Sequence, residues 1–340
     1  MPKQHEPLVT HMYTADCSVH VYDGKIFIYP SHDLDHDVPN NDSGDQYQMQ
    51  DYHVFSIEDL ENPDCPCVDH GEALHVKDVP WAVKQMWDSD IAYKNGTYYY
   101  YFPAKGEDGI FRIGVATSKS PTGPFKAEPN YIPGSFSIDT AAFIDDDGRA
   151  YLYFGGLWGG QLEKSQPDEN GKRIFNPKAG EPAGSPPPKG VAAYGPVMAE
   201  LSDDMLCFKE GENAPKEIKI LDENGNPLMA DDTDRRFFEA AWVHKYNGDY
   251  YLSYSTGDTH YLVYAIGDNP FGPFTYKGRI LEPVIGWTTH HSIVEFKGKW
   301  YLFYHDASLS GGINHKRSIK FCELKYNDDG TIQKIWPYGE

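Results

Sequence analysis

One stretch indicates the fold of this chain: residues 237–254, FFEAAWVHKYNGDYYLSY. It consists of a predicted strand, a tight turn at Asn247-Gly248 and a second strand rich in tyrosine. Asn-Gly between two strand-like segments is a strong hairpin signal, because both central positions of a type I′ turn require positive φ. Glu239 lies in the first strand among apolar residues, where a carboxylate is costly unless it is paired, hydrogen-bonded or used in function.

The same pattern of strand, glycine turn and aromatic-rich strand occurs five times. The turn glycines are separated by 72, 52, 100 and 50 residues and are Gly24, Gly96, Gly148, Gly248 and Gly298. A second phrase, Gly-Pro-Phe, occurs at 123–125 and 272–274 and follows a predicted third strand. Repeats of this kind are typical of β-propellers and related radial arrays, in which about 50 residues form a four-stranded blade.

Two polar segments are predicted to be long loops in a single domain that spans residues 1–340. Residues 31–53 are acidic and polar, and 159–197 are rich in glycine, proline and lysine and account for the 100-residue gap. A metal site in the first loop, at Asp33, Asp35 and neighbouring residues, is disfavoured because the acids lack the alternation of a calcium loop.

The composition argues against several classes of partner. The net charge is −21, which disfavours nucleic acid and anionic membranes. No apolar run approaches the roughly 20 residues of a membrane span, and the first residues lack the apolar segment of a signal peptide. The five cysteines lack zinc-site spacing and are expected to be free thiols. We expect a cytoplasmic protein, for which a homo-oligomer remains open.

An ionisable residue precedes each turn glycine by six to nine positions. These residues are Asp16, Asp90, Asp139, Glu239 and His290. The innermost strands of a propeller line its central channel, so equivalent positions on different blades converge on one axis. Any one of these residues alone reads more readily as a satisfied strand-end residue. Their repetition in register instead favours acid/base chemistry at one end of the channel.

At this point the chain resembles glycoside hydrolase family 43, whose members are five-bladed β-propellers. The resemblance covers nearly the whole chain and rests on motifs that occur in the family's order. They are Thr14-Ala15-Asp16-Cys17-Ser18, Ser137-Ile138-Asp139-Thr140-Ala141 followed by residues 144–148, Phe238-Glu239-Ala240, and residues 289–294 with 301–305. The fold expected from the resemblance is therefore an all-β, five-bladed propeller with the catalytic site at one end of the central channel.

The resemblance also implies catalytic and metal-binding roles. Asp16 matches the general base, Glu239 the general acid, and Asp139 the carboxylate that orients the acid. His290 matches a histidine near a central divalent cation, usually calcium. His291 is a near-equal candidate, because the register is open by one residue, and is otherwise expected to contact substrate.

Three further residues are expected to contact substrate. Arg317 matches an arginine that reaches the sugar in many members. Asp90 ends the segment Trp87-Asp88-Ser89-Asp90, at a place where Trp-Ala-Pro-Asp is common in the family. The chain departs from the family pattern there and also at Cys17, which replaces the usual proline after the base. Trp87 is equally compatible with a sugar platform and with packing in the channel wall.

The activity implied is inverting exo-hydrolysis that releases xylose from xylo-oligosaccharides. An α-L-arabinofuranosidase acting on arabinoxylan fragments is the nearest alternative. A non-catalytic sugar-binding propeller would keep the aromatic channel but would not need three acids in register. A phosphorylase would need a cluster of arginine or lysine for phosphate, and only Arg317 is near the predicted site.

Overall fold

The computed structural model describes residues 2–178, 189–211, 214–287 and 290–339, which form five sheets and one separate hairpin. Blade one contains β1 (Tyr13–Tyr22), β2 (Lys25–Asp33), β3 (Asp51–Ile57) and β4 (Val68–His75). Blade two contains β5 (Asp90–Lys94), β6 (Thr97–Lys105), β7 (Phe111–Ser118) and β8 (Lys126–Ala127). Blade three contains β9 (Ala141–Ile144), β10 (Ala150–Phe154), β13 (Val197–Glu200) and β14 (Lys216–Glu217), and the hairpin β11 (Ser165–Pro167) and β12 (Arg173–Phe175) is inserted between β10 and β13.

The remaining strands complete blades four and five. Blade four contains β16 (Glu239–Tyr246), β17 (Asp249–Ser255), β18 (Leu262–Gly267) and β19 (Phe274–Leu281), with β15 (Ile220–Leu221) added parallel to β19. Blade five contains β20 (His291–Phe296), β21 (Lys299–Asp306) and β22 (Ser318–Leu324). Short 3-10 turns lie at Val76–Asp78, Trp158–Gly160, Leu162–Lys164 and Ser308–Ser310.

The first strands of the blades form a closed ring. Each contacts the first strand of the next blade in the order β1, β5, β9, β16, β20 and back to β1. The predicted all-β, five-bladed propeller is therefore confirmed. In the part of the chain that the structure describes, no helix is both long and apolar enough to cross a membrane.

The repeated hairpin has the turn that its sequence predicts. In blade four, Tyr246 pairs with Asp249, while Asn247 and Gly248 between them have φ of 52° and 91°. The following strand buries Tyr251 and Tyr254 in the main core between blades. The aromatic repeat therefore supplies the packing between neighbouring blades, and the turn fixes its register.

The N-terminal segment joins the two ends of the ring. The backbone N–H groups of His5 and Leu8 donate hydrogen bonds to the carbonyls of Phe321 and Ile319 in β22, at 2.9 and 2.8 Å, and that of Thr14 in β1 donates to the carbonyl of Arg317, just before β22, at 2.9 Å. Leu8 is buried with the apolar residues of blades one and five. The outer side of β22 is thus covered by the start of the chain, which removes an exposed sheet edge.

Both predicted loops contain more structure than the sequence indicated. The first is shorter than residues 31–53, because β2 continues to Asp33 and β3 begins at Asp51, which leaves the irregular stretch 34–50. The second contains the hairpin of β11 and β12, whose three-residue strands are too short to show an alternation of apolar and polar residues in the sequence. Residues 179–188 of that loop, and Thr289 of the fifth-blade motif, lie outside the described residues.

Candidate active site

A cavity opens at one end of the ring, where the first strands begin, and all five blades contribute to it. Its floor consists of residues at or just before the first strands, and its rim consists of loops. The floor residues include Asp16, Asp88, Ile138, Glu239 and His290. The rim includes residues 40–42, 44 and 46–47, residues 157–160, Trp287, Asn314 and Arg317.

The backbone is distorted at the predicted catalytic carboxylates, of which Asp16 and Glu239 line the cavity and Asp139 is fully buried beside it. Asp16, Asp139 and Ala240 have φ of 54°, 61° and 64°, in the left-handed region that residues other than glycine rarely adopt. The pairing of β1 with β2 shifts between Ala15 and Ser18, and that of β16 with β17 shifts between Glu239 and Trp242. These are bulges, which re-aim side chains at the ends of strands. Strain of this kind, about 1–3 kcal/mol for each residue, persists where the surrounding fold fixes it.

Asp16 is held by Arg317 in a buried ion pair. The guanidinium donates from Nη1 and Nη2 to the two carboxylate oxygens at 2.8 and 3.0 Å. It also donates from Nε and Nη2 to Asp33 at 2.8 Å, so one arginine bridges two carboxylates. Burial raises the pKa of Asp16 well above its usual value, and Arg317 opposes that rise. The ionised state of Asp16 therefore depends on the arginine.

Asp139 is completely buried beside the fourth blade. Its Oδ2 accepts a hydrogen bond from the backbone N–H of Ala240 at 2.8 Å, next to Glu239. Burial raises the pKa of Asp139 well above its usual value, and the negative charges of Asp88 and Glu239 add to the rise. Asp139 is thus tied to the segment that carries Glu239 and is coupled to it electrostatically.

Glu239 is half-buried and lines the cavity as the first residue of β16. The chain of blade three passes so close that a Cβ on Gly156 would lie 2.7 Å from Ile138 Cδ1 and 3.2 Å from Glu239 Cβ. Phe238, the preceding residue, is buried against Trp158, with ring centroids 5.1 Å apart. Neighbouring apolar residues therefore pack against one side of Glu239, and the residue is still partly exposed to the cavity.

Blade two contributes Asp88 to the floor, a residue that the sequence analysis did not select. Asp88 Oδ2 lies 3.5 Å from His290 Nδ1, and one ligand atom each of Asp16, Asp88 and His290 lie within 4.8 Å of one another. Asp88 precedes Gly96 by eight residues, as Asp16 precedes Gly24 and His290 precedes Gly298. This common spacing was the signal that could have identified it.

Asp90 and His291, expected to contact substrate, are not among the residues that line the cavity. Asp90 has no exposed surface, and its oxygens are within 2.6 Å of His20 Nε2 and of the backbone N–H of Ala142. It therefore links the first strands of three blades farther along the channel. His291 is fully buried, with Nε2 2.6 Å from Ser253 Oγ, and burial lowers its pKa well below the usual value.

Aromatic side chains shape the cavity walls. Trp87 reaches the cavity but is only 7% exposed, packs on Phe111 with centroids 4.6 Å apart, and donates from Nε1 to the carbonyl of Tyr47. Trp87 is therefore mainly a packed part of the cavity wall. Trp158 and Trp287 are only partly buried and lie with their rings 6.0 Å apart at 30°. Both line the cavity and are more exposed than Trp87, and sequence reasoning missed them because both lie in irregular segments.

Residues 42–181 and 185–332 match the sequence pattern of glycosyl hydrolases family 43. The chain belongs to glycosyl hydrolases family 43. As a family 43 member it is a glycoside hydrolase. It is 59% identical over 332 residues to xylosidase/arabinosidase 43A of Humicola insolens, covering 96% of this chain and 98% of that protein. It is 49% identical over 323 residues to a β-xylosidase of Xylanibacter ruminicola, covering 95% and 97%.

Solved structures of family 43 agree with this fold. The structure of CoXyl43, a family 43 β-xylosidase/α-arabinofuranosidase from a compost microbial metagenome, is similar to this one, with a TM-score of 0.93 and 58% identity. The match covers 100% of this chain and 99% of that one, and that structure is a xylotriose complex in a calcium-free form. RS223 β-xylosidase aligns with a TM-score of 0.91 and 53% identity, over 99% of both chains.

The family 43 cavity also contains a group of side chains that could hold a metal ion. Asp16, Asp88 and His290 offer two carboxylates and an imidazole, all buried. Burial opposes the ionisation of Asp88, yet His290 and the neighbouring carboxyls hold the pKa of Asp88 well below its usual value. An ionised, buried carboxylate beside an imidazole suits a divalent cation, whose positive charge would further stabilise the ionised carboxylates.

Proposed function

We propose that this family 43 hydrolase is an inverting exo-β-xylosidase that releases xylose from xylo-oligosaccharides. The observation that carries the proposal is the cavity in which Glu239 and the arginine-held Asp16 both line the floor. Two carboxyl groups across a glycosidic bond, with room for water between them, are the machinery of inverting hydrolysis. The relatives described as xylosidases support the choice of sugar.

In the proposed reaction, Glu239 donates a proton to the leaving oxygen as the glycosidic bond breaks. Asp16 removes a proton from a water molecule that attacks the anomeric carbon from the opposite face. Arg317 orients Asp16 and favours its ionised form, and Asp139 fixes the backbone next to Glu239 through Ala240. Trp158 and Trp287 are placed to stack against pyranose rings at the rim.

The test is the anomeric configuration of the first product, followed by NMR during turnover of a β-linked xylo-oligosaccharide. We expect α-xylose to form first, and Asp16→Asn and Glu239→Gln to lose activity. Asp249→Asn is a matched control, because Asp249 is an exposed carboxylate in the same blade as Glu239. First formation of β-xylose, or full activity in Asp16→Asn, would contradict the proposal.

A second activity, α-L-arabinofuranosidase, is favoured by the Humicola insolens relative, which is described as both xylosidase and arabinosidase. Paired aryl β-D-xyloside and aryl α-L-arabinofuranoside substrates measure the ratio of the two activities. We expect both to be cut at one site, so that Glu239→Gln affects both alike. An arabinoside activity that survives this change would place it elsewhere.

We also propose that the central cation is Ca²⁺, held by Asp88 and His290 with Asp16 nearby. Carboxylate oxygens suit calcium, and water would complete its coordination. The CoXyl43 structure is a calcium-free form, and this distinction supports a calcium site in the family. Calorimetric titration of chelator-treated protein should show binding that Asp88→Asn weakens; equal binding by that variant would exclude this site.

A further inference from the structure

A second group of metal-ligand side chains lies on blade one, apart from the catalytic floor. His32 is near the end of β2, while Asp51 and His53 begin β3, and one ligand atom from each lies within 4.8 Å of the others. Asp51 is buried, and the two imidazoles are partly exposed, with side-chain exposures of 22% and 19%. The group is therefore shielded yet open to an ion from solvent.

We propose that His32, Asp51 and His53 form a binding site for a zinc-class transition-metal ion. His32 Nδ1 lies 3.0 Å from both oxygens of Asp51, and His53 Nε2 lies 3.4 Å from Asp51 Oδ2. Metal–ligand bonds of 2.0–2.2 Å in a tetrahedron place ligand atoms about 3.3–3.6 Å apart. The two pairs that include Asp51 are thus already near the spacing that a tetrahedral ion requires, all three ligand atoms lie within 4.8 Å of one another, and water would be the fourth ligand.

The orientation of His53 supports a metal ligand. Its other nitrogen, Nδ1, lies 3.1 Å from Oδ1 of Asp69, which also accepts a hydrogen bond from the backbone N–H of Gly71 at 2.8 Å. Metal-binding histidines characteristically donate their second N–H to a carboxylate, which fixes the tautomer. With Nδ1–H donated to Asp69, the lone pair of Nε2 faces the anionic Asp51 and requires a proton or a metal ion between them.

The charges of the group point to a divalent cation. Asp51 and Asp69 contribute two negative charges, which a dication with neutral histidines would balance. Two imidazoles favour zinc, cobalt, nickel or copper over calcium and magnesium.

The position of the site gives the ion a structural consequence. His32 and Asp51 flank the irregular stretch 34–50, which carries Tyr47 and other rim residues to the catalytic cavity. An ion held by both residues would cross-link the two stems of this loop. The site would therefore stabilise the cavity rim without contacting substrate.

The test uses the full chain, stripped with a chelator and titrated with ZnCl₂ by calorimetry and with Co²⁺ by visible absorption. We expect one zinc ion to bind to the wild type and to Asp88→Asn, and an intense d–d band from four-coordinate cobalt. His53→Gln should weaken binding by more than about 100-fold, and Asp69→Asn, which removes the orienting carboxylate, by about 10–100-fold. His70→Gln is the matched control, because His70 is an exposed histidine on β4 that bonds Ser56 instead.

Thermal unfolding provides an independent readout, since a ligand that binds only the folded state raises its stability. Zinc should raise the Tm of the wild type and of His70→Gln but not of His53→Gln. If His53→Gln does not fold, the weakened binding of Asp69→Asn decides the question. Equal zinc affinity in the wild type and Asp69→Asn, or loss of binding only in Asp88→Asn, would overturn the proposal.

Discussion

Arg317→Met should destabilise the protein strongly and impair Asp16, the proposed general base, because the guanidinium is the counter-charge of two buried carboxylates. Its nitrogens lie 2.8–3.0 Å from the oxygens of Asp16 and Asp33. Unit charges about 4 Å apart attract by about 4 kcal/mol at an effective dielectric constant of 20. Removing one partner of a buried pair costs about 3–5 kcal/mol, since the other charge remains buried. We expect a loss of this size in the free energy of unfolding.

The double variant Arg317→Met/Asp33→Asn separates the two effects. Neutralising Asp33 removes one of the stranded charges, so part of the stability should return in urea unfolding. Activity should not return, because Asp16 still lacks its arginine and its burial still raises its pKa. Arg317→Lys keeps a positive charge but loses the bidentate geometry, so the acid limb of its kcat/KM profile should move to higher pH.

Two results would refute this reasoning. One is a change of less than about 1 kcal/mol in the unfolding free energy of Arg317→Met, which is the range of exposed ion pairs. The other is an Arg317→Lys enzyme with an unshifted acid limb and a raised KM for aryl β-xyloside. That pattern would show that Arg317 acts mainly on the substrate, as the family resemblance alone implied.

Three further predictions concern other parts of the molecule. Glu239→Gln should lose about 10²–10⁴-fold in kcat on xylobiose but less on an activated aryl xyloside, because a good leaving group needs no proton; equal losses would argue against the acid role. Burial lowers the pKa of Lys105 to about 8. The stability of the wild type should therefore rise between pH 8 and 10, because the unfolded chain binds more protons there. Lys105→Met should abolish this rise and increase the free energy of unfolding at pH 7 by up to about 3 kcal/mol in urea titrations. Leu8→Ala should cost about 2 kcal/mol in the same assay by weakening the joint between N-terminal segment and β22, whereas Leu309→Ala, at an exposed site, should change stability by less than about 0.5 kcal/mol.

The fold was predictable because its signals are local and repeated. Each hairpin carries its own turn glycine, and the strand next to it carries its own aromatic residues, so five copies specify five blades. Asp16, Asp139 and Glu239 were selected for the same reason, since each lies eight or nine residues ahead of a turn glycine, and their catalytic roles stay predictions. Asp88 was missed because its segment contains a second acid two residues later, and only the spacing to the turn separates them.

The rest of the site was not predictable from local patterns. The contact between Arg317 and Asp33 joins residues 284 positions apart, and nothing near either residue indicates the other. Tyr47, Trp158 and Trp287 lie in segments without strand periodicity, where neither spacing nor propensity shows which side chain faces the cavity. Bulges at Asp16 and Ala240 also escaped prediction, because their positive φ follows from tertiary packing and not from residue type.

The division of the cavity into a floor of strand ends and a rim of loops has an evolutionary consequence. Insertions or substitutions in the stretch 34–50 or after β10 would alter which sugars are admitted while the floor carboxyls Asp16 and Glu239 stay fixed on the ring. Relatives of this chain could thus diverge in substrate specificity, from xylose-bearing to arabinose-bearing chains, by changes in these loops alone. One fold would then support several glycoside hydrolase specificities without a change in the residues at the ends of its first strands.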